Sequence, residues 1–277
     1  MISRLAGALV RAFLVVLLIA TPSLLLPGVT SDVTQIVALV SIFAAALTIF
    51  EYASTYPGLV EFRNAPPFNR LRFVSLFATV FLISIVVRGE ADSSAMTQMV
   101  VRIGTGIGDA IDFPYSPVRQ IVLLTSSNTT FEQISRVRTA AGISYVISML
   151  SVLVFYYFIR VRGWPTRSGP FNVWINLPTF DPTTGGDVVT RLERDARVNV
   201  GLGFLLPFLM PAALKAAESM FGAVTLDNPQ TMIWILASWA FLPASLFMRG
   251  LAMGRIAELV ERKRRSTARA AKALQPA

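Results

Sequence analysis

Most enzyme and metal sites draw on thiols or imidazoles, and this chain has neither: it contains no cysteine and no histidine. That rules out thiol nucleophiles, thiolate and imidazole metal ligands, bis-histidine haem and serine–histidine dyads built from this chain alone. No metal set and no cofactor are expected. The residues left that could do chemistry are carboxylates, arginines, hydroxyls and backbone groups. A carboxylate near basic residues occurs in the segment after the fourth apolar stretch, where Arg160, Arg162 and Arg167 precede Asp187. They could hold a headgroup phosphate and offer a base. No nucleophile is paired with that base, so an interfacial lipid-modifying enzyme is the weakest of three expectations.

Glycine and proline mark the second candidate. Gly201 and Gly203 precede Pro207 and Pro211 in one apolar stretch. Prolines one turn apart free backbone carbonyls, and broken membrane helices use such groups at transport sites. These four residues form a candidate substrate path for a permease acting on a small, weakly charged solute. Residues 104–108 (GTGIG) fail the dinucleotide pattern, because Asp109 stands where the third glycine belongs and no βαβ unit surrounds it. Gly104 and Gly108 read instead as a small-residue face for close helix packing. Residues 181–187 (DPTTGGD) have too few carboxylates for a calcium loop and read as a turn with Asp187 as helix cap. Asn128 opens an N-x-T triplet that reads as chance.

The third candidate is a surface. Trp164, Phe171, Trp174 and Phe180 crowd one loop, where they suit a partner surface or equally the membrane interface. On this basis the leading expectation is a non-enzymatic scaffold, assembly or accessory subunit of a membrane complex. Arg262, Lys263, Arg264 and Arg265 form a basic cluster that reads first as a charge block fixing orientation and is also suited to contact anionic lipid.

The elements that position these residues follow from hydropathy. The chain of 277 residues is 54% hydrophobic and 15% charged, with mean hydropathy +0.60. Apolar runs at about 5–26, 33–50, 73–87, 140–159, 199–214 and 231–248 are each near the length that crosses a ~30 Å hydrocarbon layer. The expected fold is an all-α integral membrane bundle of six transmembrane helices occupying residues 1–250, with a basic tail over 251–277. The first run has no small-residue cleavage site after it and reads as an uncleaved span. None of the runs holds aspartate, glutamate or lysine near its middle, which argues against ion-coupled transport.

If the spans alternate, 19 of the 25 basic residues fall on one side, the expected cytoplasmic face, with both termini there. Localisation to a bacterial inner membrane follows from that pattern and from the arginine-rich composition. The net charge of +9 is thereby a membrane signature, and no nucleic-acid motif accompanies it. The expected partners are the lipid bilayer and other membrane proteins. The outer loop 88–139 is expected to carry an amphipathic helix with Met96, Met99 and Ile103 on its apolar face. Thr129 and Glu132 suggest a capping box for a long helix reaching Arg160. The cytoplasmic loop 160–198 is expected to contain a short strand over 171–177, where FNVWINL alternates.

Overall fold

The last helix of the computed structural model runs unbroken for 45 residues, far longer than a bilayer needs, and it organises the rest. The structure describes residues 2–89, 91–125, 129–165, 171–181, 183, 185–221 and 226–273. Among the described residues every regular element is a helix: α1 Ile2–Leu25, α2 Ser31–Ala53, α3 Phe68–Arg88, α4 Ala95–Ile111, α5 Pro117–Val122, α6 Phe131–Arg160, α7 Val173–Asn176, α8 Val188–Phe221 and α9 Pro229–Ala273. Six of them, α1, α2, α3, α6, α8 and α9, are long and apolar enough to cross a membrane. The protein is an all-helical membrane bundle.

Helix starts are set by hydroxyl caps. Thr30, Ser94, Ser116 and Thr130 each accept a backbone N–H from the first turn of α2, α4, α5 and α6. The capping box of α6 lies one residue beyond the expected frame. Thr130 accepts the Gln133 N–H, and Gln133 Oε1 accepts the Thr130 N–H at 3.1 Å. Asp187 caps α8 as expected, accepting the Thr190 N–H at 3.0 Å.

The expected strand is absent, and residues 173–176 form one helical turn instead. A lone strand would leave its backbone groups unpaired, whereas a turn satisfies them locally. Leu177 N–H donates to Val173 O at 2.8 Å. The turn then presents Asn176 to the loop before α3, where its carbonyl takes the Phe62 N–H (2.7 Å) and its Oδ1 takes the Asn64 N–H (3.0 Å).

Two buried clusters divide the bundle by its ends. One gathers Val80, Ile83, Ile121, Ala140, Ile233, Leu236 and Trp239. The other gathers Phe62, Phe68, Phe155, Trp164, Leu177, Leu192 and Met253. The loops 54–67 and 161–187 therefore meet at one end, beside the later half of α9, while α4 and α5 sit towards the other. This is the alternation expected of six spans. At the α4–α5 end, Gln230 Nε2 donates to Ser23 Oγ at 2.8 Å, tying the start of α9 to the end of α1.

Helices α8 and α9 approach at glycines. A Cβ on Gly203 would lie 2.8 Å from Pro243 O, and one on Gly250 would lie 2.8 Å from Ala196 O. The hairpin α1–α2 stands apart. Helix α2 packs on α1, and of its residues only Ser41 and Glu51 are buried. Its Leu39 and Phe43 are 69% and 71% exposed, as a helix solvated by lipid would be.

Candidate functional site

Between the α1–α2 hairpin and the rest of the bundle lies a cavity of about 1430 Å³. Its walls come from α1, the end of α2, the loop before α3, the start of α3, and the middle of α8 and α9. One end is cationic: Arg11, Arg63, Arg70, Arg72 and Arg249 line it, against a single carboxylate, Glu61. The other end is apolar, formed by Leu14, Val15, Phe73, Leu206, Met210 and Leu242. Helix α8 packs on α9 and α5, and α1 packs on α2 and α3, so α1 and α8 face each other across the cavity. Leu242 lines the cavity yet is 48% exposed.

The five arginines differ in how their charge is met. Arg63 is spent on the protein: it donates to the carbonyls of Glu51 and Ser54 (both 2.8 Å) and Thr55 (3.1 Å), closing the end of α2. Burial, and then the neighbouring Arg4 charge, hold its guanidinium below the ordinary arginine value, and it stays cationic at neutral pH. Glu51 completes that loop by accepting the N–H groups of Gly58, Leu59 and Val60 at 2.9–3.1 Å. Arg11 donates to Gly7 O at 2.6 Å and lies over the Tyr52 ring. Arg70 is exposed.

Arg249 forms a two-point ion pair with Glu61, at 2.6 Å from Nε and 2.8 Å from Nη2. Glu61 also accepts the Thr179 hydroxyl at 2.8 Å, and its backbone carbonyl accepts the Asn69 amide at 2.7 Å.

Arg72 has no carboxylate partner among the described residues. Its Nε donates to Ser245 Oγ at 3.1 Å, and its Nη1 reaches Asn69 Oδ1 at 3.5 Å. Its guanidinium lies over the Phe68 and Phe241 rings at 5.4 and 5.6 Å. These contacts orient the group without neutralising it. Arg72 is thus a half-buried cation at the edge of an apolar cavity, held in place by neutral groups.

Sequence reading missed Arg72, Arg249 and Glu61. A signal exists in hindsight. Arg11, Arg72 and Arg249 each sit within an apolar stretch or at its edge with no acid three or four residues away, so any partner must come from elsewhere in the fold. The tail arginines, by contrast, have acids one turn away: Arg262 pairs with Glu258, and Arg265 with Glu261.

The structure places the sequence-derived candidates elsewhere. Gly203, Pro207 and Pro211 are buried in the seam that α8 forms with the bundle and do not line the cavity, whose α8 residues are Leu206 and Met210. Gly201 meets open space. The carbonyl that Pro211 leaves without a helical partner, that of Pro207, accepts the Trp239 indole N–H at 2.9 Å, so it is not offered to a solute.

Trp164 and Phe180 are 3% and 5% exposed, because the two loops at this end bury their aromatics against each other. Trp164 Nε1 donates to Ala65 O at 3.0 Å. Phe171 is half-buried against Phe62. These three belong to the protein's own interior, and the side chain of Trp174 lies outside the described part, as do Asn128 and Arg167.

Arg160 lies over the Tyr156 ring, and Asp187 pairs with Arg264. Arg262, Lys263, Arg264 and Arg265 are exposed. They continue the α9 axis, with Arg262 about 20 Å beyond Arg249 at ~1.5 Å per residue. No protein-family model, curated protein or solved structure matches this chain.

Proposed function

We propose that this membrane protein binds an anionic amphiphile, its headgroup at Arg72 and its chain along Leu14, Leu206, Met210 and Leu242. In this reading the ligand enters sideways from the bilayer between α1 and α8. The arginine-rich end faces the cytoplasm, as the charge distribution favours, in a bacterial inner membrane. The observation that carries the reading is Arg72, fixed by Ser245 and Asn69 beside an apolar cavity and in no direct ion pair among the described residues. A carrier or lipid-binding subunit fits this arrangement better than an enzyme, because among the described residues no nucleophile–base pair lines the cavity. Association with other membrane proteins would fall to α2, which packs chiefly on α1 and is largely exposed.

The test is thermal stability of the purified protein in mild detergent, with added phosphatidylglycerol or phosphatidylcholine. The anionic lipid raises the melting temperature and the zwitterionic one does not, and Arg72→Gln removes the difference. Equal stabilisation by both lipids, or an unchanged preference in Arg72→Gln, would overturn the reading.

A further inference from the structure

Arg249 and Arg72 reach the same cavity, and they are linked twice. Ser245, which accepts from Arg72, lies one helical turn before Arg249 on α9. Asn69 accepts from Arg72 and donates to the Glu61 backbone. The two guanidinium groups act on each other electrostatically, as does Glu61 on Arg72. Glu61 is mostly buried, with its side chain 12% exposed, and both its oxygens engage the Arg249 fork. A carboxylate in a guanidinium fork occupies the position that two phosphate oxygens would take.

Charge narrows the headgroup. Beyond Ser245 and Asn69, Arg72 keeps a second Nη1 hydrogen and both on Nη2. Arg249 offers its Nε–Nη2 edge once Glu61 leaves. Both guanidinium groups then face the cavity with the one carboxylate of its lining turned away, which favours an anion of nearly two charges. A phosphate monoester carries about −1.5 to −2 at neutral pH, and a phosphate diester about −1. Glu61 can leave without being stranded: Thr179 is exposed, and its hydroxyl remains as a partner for the released carboxylate. The Asn69 amide keeps the Glu61 backbone in place while the side chain turns.

We infer that the cavity selects an amphiphile with a terminal phosphate monoester, and that Glu61 is a built-in competitor which this headgroup displaces from Arg249. The inference rests on the anionic-amphiphile reading and adds the headgroup class and a second contact. It also links occupancy to the loop 161–187, because Thr179 of that loop bonds Glu61, which lines the cavity.

Three ligands separate the alternatives in a detergent binding titration followed by native mass spectrometry: phosphatidic acid, phosphatidylglycerol and inorganic phosphate. The wild type binds phosphatidic acid about tenfold more tightly than phosphatidylglycerol, as one extra charge-assisted contact would give. Arg249→Lys keeps the charge but loses the fork, and it brings the two lipids to parity while both still bind. Glu61→Gln, which removes the competing charge at nearly constant shape, tightens phosphatidic acid several-fold, on the order of the same contact.

Anionic lipids that bind in an Arg72-dependent way, but with equal affinity and no response to Arg249→Lys or Glu61→Gln, would overturn the monoester inference and leave the underlying reading intact. Loss of any anionic preference would overturn both. Inorganic phosphate binding as tightly as phosphatidic acid would assign the site to a free anion and reject the amphiphile.

Discussion

Gly108 and Gly142 bring α4 and α6 into backbone contact: a Cβ built on Gly142 would lie 2.7 Å from the Gly108 Cα. A Cβ on Gly108 would in turn lie 2.9 Å from the Arg138 carbonyl, and one on Gly104 would lie 2.5 Å from Ile143 Cδ1. Thr105 and Thr139 hydroxyls bond across the same seam at 3.2 Å. The small-residue face of α4 thus packs inward, and Met96, Met99 and Ile103 face outward, 51–59% exposed. Arg138 on α6 also pairs with Asp109 on α4 at 2.9 Å, closing one edge of the contact.

Because the close atoms are backbone, Gly142→Ala must push the two helices apart. The expected cost is about 1–3 kcal/mol, the range for overpacked sites, read as a lower melting temperature in detergent. Gly106→Ala is the control. Its Cβ meets nothing within 4 Å, and removing a helical glycine stabilises by up to about 1 kcal/mol. A Gly142→Ala protein that melts with the wild type would show that the helices do not approach this closely.

Trp239 is fully buried, and its indole N–H serves the carbonyl that proline chemistry leaves over. Trp239→Phe removes the donor and strands the Pro207 carbonyl, at a cost of about 1–3 kcal/mol for an unsatisfied buried group, on top of lost packing. Pro211→Ala restores an N–H one turn on, where it can bond Pro207 O within the helix. The double variant is therefore expected to recover part of the stability lost in Trp239→Phe. Strict additivity of the two changes in a double-mutant cycle would disprove the link between Trp239 and Pro211.

The Asp187–Arg264 pair ties the start of α8 to the basic tail. The Arg264 hydrogen bond, followed by the Thr190 N–H, holds the Asp187 carboxyl down to about 2 from its ordinary 3.8. A depressed carboxylate contributes in full above its ordinary value and loses that contribution as pH falls through the lowered one. The tie is expected to be unchanged between pH 5 and 7 and to open only as pH approaches 2. Spin labels on Gly185→Cys and Ser266→Cys report the distance, and no native cysteine competes for the label. Asp187→Asn should lengthen it at every pH, and high salt should loosen this exposed pair. A distance that shifts between pH 5 and 7 would point to a different group.

The six spans, their alternation, the glycine seam of α4, the cap at Asp187 and the length of α6 were all legible in the residues. Each is a local property. A membrane helix pairs its own backbone and needs only a long enough apolar run, and a cap or a glycine pair is read within a few positions. The fate of the aromatic loop was not local. Trp164 and Phe180 could anchor a partner or fill an interior, and only the meeting of loops 54–67 and 161–187 decided for the interior. Likewise the alternation in 171–177 had no strand to pair with among the described residues.

The cavity depended most on tertiary structure. In the sequence Arg72 and Arg249 are charges that set orientation, and Glu61 is a loop acid 188 positions from the arginine it binds. Folding gave Arg249 an acid partner and, among the described residues, left Arg72 with neutral ones. Run length and composition dictate which segments enter the membrane. Which charges are neutralised there depends on which distant segments pack together, and a side chain's neighbours in the chain carry no record of that.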